Sequence, residues 1–373
     1  MTMLRTALTV ALLLFFSAAG RAETSPIQVK LTDRFFSPSL GAQTHITVTC
    51  VRSGTLTAHI LDRDGFPTRT LATKRAVRAG KTLLSWDGKD EAGVIVPDEA
   101  YSLWIELKHG KQTSIYFPAN ALQEHFDLKA ASFDRRTGVV SYILQKPSRM
   151  HIQAGAILEN PITHEKEGPV LKTIVNREPR LAGAVIEQWN GKDESNSINV
   201  SDRPGFVLSV AATALPENAI FTANNRVLSF LEYASKRTGA SMLTVHATSH
   251  AHHAGLSALE DHSPELVIEA ENATPGKDAV WLAENPLRLK AHVNGLAAPA
   301  FLQEATKIYV FVDDRLTQTL PSTPDARITV PVQDLPDGEH TVALNWISPS
   351  GAVAVNALRF MAKGHDGGMH AQR

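Results

Sequence analysis

The sequence predicts an all-β protein assembled from several immunoglobulin-like (Ig-like) β-sandwiches. Three observations predict it. Apolar and polar residues alternate over short runs, and Asp-Gly and Pro-containing turn signals punctuate those runs roughly every 8 to 12 residues. In addition, the stretch Trp86-Asp87-Gly88-Lys89-Asp90-Glu91 returns as Trp189-Asn190-Gly191-Lys192-Asp193-Glu194, an offset of 103 residues. A chain of 373 residues that is 43% hydrophobic and 20% charged has room for two to three units of this size, each with its own core.

Residues 1–22 have the three-part form of a secretory signal peptide. Arg5 supplies positive charge, Ala7 to Phe16 is an apolar run, and Gly20-Arg21-Ala22 offers small residues at the two cleavage-determining positions. The mature chain is therefore expected to begin near Glu23, in an exported protein of the periplasm or the cell surface and extracellular space. No later stretch reaches the roughly 18 apolar residues of a spanning helix, so no transmembrane segment is expected after cleavage.

The first unit is assigned to residues 23–118. Thr44 to Cys50 and Thr55 to Leu61 alternate as strands, Asp62-Arg63-Asp64-Gly65 reads as a polar turn, and Val96 through Ile105 leads into a strand opened by Tyr101. The second unit, 119–222, repeats the order with Val139 to Leu144, Met150 to Ala154 and a strand opened by Phe206. Its first hairpin departs, with the longer loop Asn160 to Gly168. Residues 223–264 form a His-rich connector in which Val227 to Ala234 has the pattern of a short helix. Strands resume over 265–363, at Leu266 to Glu269, Leu287 to Val293, Lys307 to Val312, Arg327 to Val330, His340 to Trp346 and Val353 to Phe360, which make a third sandwich. Residues 364–373 are a polar tail.

Charge and cysteine content narrow the function. With 37 basic and 38 acidic side chains the net charge is −1, and no basic patch interleaved with aromatics points to nucleic acid. The single Cys50 excludes an intramolecular disulfide and any Cys-rich metal centre, and its place on an alternating strand is that of a small buried hydrophobe.

The residues Ala79-Gly80, Trp86 to Gly93 and Val96-Pro97-Asp98 through Tyr101 resemble the Ig-like domain of the flagellar hook-capping family (FlgD-like). The resemblance spans Phe35 to about Pro118 and, with Asn190 for Asp87 and Ser195-Asn196 for Ala92-Gly93, extends to Phe133 through Thr222; the third unit lies outside it. It implies a sandwich fold used for scaffolding or adhesion rather than for a reaction.

Two clusters offer candidate sites. Asp87, Asp90, Glu91 and Asp98 supply carboxylates for a calcium loop, but the spacing lacks the turn glycine and final glutamate of an EF-hand. Trp burial, a capping Asp or Asn and a positive-φ Gly account for the motif as a turn. His246, His250, His252, His253 and His262, five of 15 histidines, lie within a short span and offer imidazoles to copper or zinc, with Glu260 and Asp261 nearby and His365, Met369 and His370 in the tail. The other reading of those histidines is a polar linker that binds nothing. No Gly-x-Ser-x-Gly elbow, phosphate-binding glycine loop, His-Glu-x-x-His or Cys-x-x-Cys-His occurs, so no catalytic residues are assigned and the chain is read as a non-enzyme without an obligatory cofactor. The expected function is a non-catalytic scaffold that presents Ig-like domains to protein partners in a cell-envelope or extracellular assembly. The alternative is a periplasmic copper- or zinc-binding protein that uses the His-rich connector.

Overall fold

The computed structural model describes residues 25–120, 124–128, 130–161, 164–225, 228–236, 264–294, 298–305, 307–348 and 352–362. Strands make up 59% of the described residues, which contain two short α-helices, Phe230–Ser235 and Ala298–Glu304. The signal-like segment, the histidines from His246 to His262 and the tail lie outside the described residues.

In the first sandwich, the sheet Ile27–Leu31, Thr44–Cys50, Gly80–Trp86 faces a second sheet ordered Phe35–Phe36, Ile220–Thr222, Ala100–His109, Gly54–Leu61, Pro67–Val77; Gln112–Tyr116 also pairs with Ala100–His109. The alternation in sequence becomes alternation in burial. Ile46 and Val48 point inward from one sheet, and Leu56, Ala58, Ile60, Leu103 and Ile105 from the other, all within a single core. Cys50 is buried among them, as its pattern predicts.

The second sandwich repeats this plan. Ser132–Asp134, Val139–Leu144 and Gly183–Gln188 form one sheet, and Val170–Arg180, Ser148–Ala156, Phe206–Ala214 and His125–Asp127 the other. The copying reaches the backbone irregularities. Both Pro67–Val77 and Val170–Arg180 are 11 residues long, both pair with their neighbour through three register shifts, and Lys74 and Arg177 occupy the same left-handed conformation at φ 44 and 54. The long loop of the second copy carries its own small hairpin, Leu158–Glu159 with Lys166–Glu167.

The third sandwich packs Glu265–Ala270, Leu287–Asn294 and Ala326–Val330 against the sheet Ala273–Pro275, Val280–Ala283, Val353–Ala362, Gly338–Ile347, Lys307–Val312, Arg315–Pro321. Trp346, Phe360, Phe301, Leu287 and Val342 anchor its core. The strands Ala273–Pro275, Val280–Ala283 and Arg315–Pro321 are additions to the sequence reading.

The chain path differs from the expected order in one respect. After the second sandwich it returns to the first, where Ile220–Thr222 inserts between Phe35–Phe36 and Ala100–His109 with all three side chains buried. The helix Phe230–Ser235 follows, capped by the Ser229 hydroxyl, which accepts from the Glu232 N–H, and its Tyr233 packs on the first core. Residues assigned by pattern to the second unit and the connector thus complete the first.

Candidate functional site

The paired acidic turns are structural, and their geometry shows why the letters drift while the shape stays. Trp86 Nε1 donates to the Lys89 carbonyl at 2.9 Å, and Trp189 Nε1 to the Lys192 carbonyl at 2.8 Å. Asp87 Oδ1 accepts from the Lys89 N–H and Asn190 Oδ1 from the Lys192 N–H, a bond that either side chain makes equally well. Gly88 and Gly191 sit at φ 72 and 78, and a Cβ on Gly88 would come within 2.1 Å of the Pro38 ring. Asn196 takes the place of Gly93 with φ 58 against 81.

The carboxylates weighed for calcium are each engaged with backbone N–H groups. Asp90 accepts from Ala92 and Val94, Glu91 from Thr70, and Asp98 from Asn225. Asp193, the counterpart of Asp90 in the second turn, is fully buried and accepts from the N–H groups of Ser195, Ser197 and Ile198. Among the described residues no three His, Cys, Asp or Glu side chains are grouped to hold a metal.

The two tryptophans do different work. Trp86 lies inside the first core, edge-on to Phe36 and Tyr101 with ring centroids 5.6 and 5.1 Å away. Trp189 stacks beside Phe133 and Phe206, in a cluster that also contains Ile198, Val200 and, from the third sandwich, Phe311, Ala343 and Ala357. The second copy of the turn is therefore part of a joint.

That joint is also polar. The Asn345 side chain clasps Val170, accepting from its N–H at 2.8 Å and donating to its carbonyl at 2.7 Å. Arg203 Nε pairs with Asp314 Oδ2 at 2.6 Å, and Arg203 Nη2 donates to Thr341 Oγ1 at 3.0 Å. Burial raises the Asp314 carboxyl above its ordinary value, against the opposing pull of the Arg203 guanidinium. Next to it, His340 contacts Asp313 Oδ2 through Nδ1 at 2.6 Å and the Pro336 carbonyl through Nε2 at 2.8 Å. Burial alone would lower the His340 pKa, but these two acceptors and the Asp313 charge outweigh it and raise it above 6.5.

The joint between the first two sandwiches is a buried ion cluster. Glu99, 1% exposed, pairs with Arg63 Nε at 2.8 Å and with Arg149 Nη1 at 2.6 Å, the arginines being 6% and 4% exposed. Arg149 Nη2 also donates to the Ala100 carbonyl, and both arginines reach the carbonyl of Arg177, the left-handed residue of the second bulge. The Phe230 ring closes over Arg63 at 4.1 Å. Arg63 belongs to the Asp62-Gly65 turn, which the sequence presents as a polar turn. It is buried because the second sandwich docks on it.

Sequence reasoning did not single out Arg63, Glu99, Arg149, Arg203, Asp314 or Asn345. The available signal was charge or amide inside otherwise apolar strand runs, as at Arg149 beside Met150 and Asn345 beside Leu344. The five connector histidines fall outside the described residues. Edge strands are the other exposed features. Leu83 on Gly80–Trp86 and Ile186 on Gly183–Gln188 occupy the same position of the repeat and are 63% and 65% exposed.

No protein-family model and no curated protein matches the chain. Among solved structures it is similar, at 10% identity and over 91% of its length, to a tetra-tandem repeat from the extending region of a large adhesion protein, with 74% of that chain covered and a TM-score of 0.21. Comparable values are found for a 1.5-MDa bacterial ice-binding adhesin, 98% covered with a TM-score of 0.17, and for a Ca2+-stabilized ice-binding adhesin of an Antarctic bacterium, 74% covered with a TM-score of 0.18, each at 10% identity. TM-scores this low define neither a family nor an activity.

Proposed function

We propose that the chain is a non-catalytic scaffold or adhesion-type protein, exported to the periplasm or cell surface, whose Ig-like sandwiches present strand edges to protein partners in an envelope or extracellular assembly. In this reading the first two units are tandem FlgD-like (hook-capping-type) domains. The observation that carries it is the investment of buried charge and amide in the two joints. Glu99 with its two arginines, and Asn345 with Arg203, fix one sandwich against the next. A protein whose units only needed to be linked would have no use for such joints.

The exposed, repeat-equivalent Leu83 and Ile186 lie on edge strands suited to strand addition by a partner. Photo-crosslinking residues placed at these two positions in cells are expected to capture the same envelope protein, and a control at Lys277 is not. Equal capture from all three positions, or none from any, would contradict the proposal.

One observation favours a second reading: the density of imidazole at His246, His250, His252, His253 and His262. A copper- or zinc-binding connector predicts micromolar binding of Cu(II) or Zn(II) that disappears when His250, His252 and His253 are replaced by Ala. Unchanged binding in that variant removes it.

A further inference from the structure

The strand directions place one end of the first sandwich away from both joints. Gly54–Leu61 starts at this end and finishes at the buried Asp62-Arg63 turn, and Ala100–His109 starts beside Glu99 and finishes here. Pairing of Cys50 with Gly80, Gly54 with Val77 and His109 with Gln112 gathers three loops at this end, 51–53, 78–79 and 110–111. They are tied together by Arg52 Nη1 donating to Gln112 Oε1 at 2.9 Å and by the His109 ring against the Ser53 carbonyl at 2.7 Å.

This tip is strongly basic although the whole chain has a net charge of −1. Arg52, Arg75, Arg78, Lys81, Lys108 and Lys111 are all exposed. The carboxylate near them, Glu106, pairs with Lys108 at 3.0 Å, and among the described residues no carboxylate pairs with Arg75, Arg78, Lys81 or Lys111. The repeat provides an internal control. At the matching positions of the second sandwich, Arg75 is replaced by Glu178, Arg78 by Leu181 and Lys81 by Ala184, so the fold itself does not require the charge.

We infer that this tip is a docking surface for an anionic phospholipid bilayer. One feature favours a membrane over an acidic protein. The cations are spread on exposed loops around Val51, itself 52% exposed, and none sits in a socket of the kind that holds Arg149 against Glu99; a dispersed ring of cations around an exposed apolar side chain matches a headgroup layer, whose charge is itself spread over a plane. The inference stands independently of the scaffold reading.

The test is co-sedimentation of the chain from Glu23 onward with vesicles of phosphatidylcholine, with and without phosphatidylglycerol, at low and high salt. Binding is expected to the anionic vesicles alone, to vanish at high salt, and to weaken roughly fivefold per charge removed, so roughly a hundredfold for the triple variant Arg75→Gln, Arg78→Gln, Lys81→Gln. Lysine in place of both arginines is expected to preserve binding. Equal binding to neutral vesicles, unaltered binding by the triple variant, or retention on a soluble polyanion without vesicle binding would overturn the inference.

Discussion

At Glu99 a single carboxylate pairs with two arginines in a deeply buried joint, and the balance there is fragile. Glu99→Gln keeps the shape but removes the buried carboxylate that pairs with both Arg63 and Arg149, which is expected to cost about 3–5 kcal/mol of unfolding free energy. The matching change at an exposed pair, Glu339→Gln beside Arg359, is expected to cost no more than about 1 kcal/mol, because Glu339 is 41% exposed and its pair is screened by water. Denaturant unfolding of both variants measures the contrast, and equal losses would contradict the assignment of the joint. Sequence alone showed the turn residues clearly, since the Trp, the capping Asp or Asn and the positive-φ Gly act on their near neighbours. It could not show Glu99, whose partners lie 36 positions before it at Arg63 and 50 after it at Arg149.

Among the elements, alternation located the central strands because a buried face imposes period two, as at Thr44–Cys50 and Leu287–Asn294. Short edge strands such as Ala273–Pro275 carry too few residues to display a period, and Ile220–Thr222 is a strand only because another sandwich supplies its neighbours. The turn at Asp313-Asp314 and the strand Gly338–Ile347 hold the titrating group of the second joint. His340 has a folded pKa raised above its ordinary 6.5, so its protonated form is stabilised by folding. Its contribution is complete below pH 6.5 and is lost as the pH rises through the folded value. The melting temperature of the parent protein is therefore expected to exceed that of His340→Gln most at mildly acidic pH, with the gap narrowing above pH 6.5. A gap that widens with rising pH would show that the Asp313 contact does not hold a proton there.

For the molecule as a whole, the fold class and the repeat were legible because both are periodic. The coupling of the units was not, because it depends on which faces meet. The same motif that closes the first core around Trp86 contributes Trp189 to a cluster shared with the third sandwich. Two copies of one module thus gained different roles from their neighbours, and with both joints formed the three sandwiches are expected to move as one body. Spin labels at Thr113→Cys in the first sandwich and Glu269→Cys in the third, with Cys50 left unlabelled in the core at 1% exposure, test it directly by pulsed electron–electron distance measurement. A single narrow distance distribution that broadens in Glu99→Gln is the predicted result, and a broad distribution in the parent protein would contradict the claim.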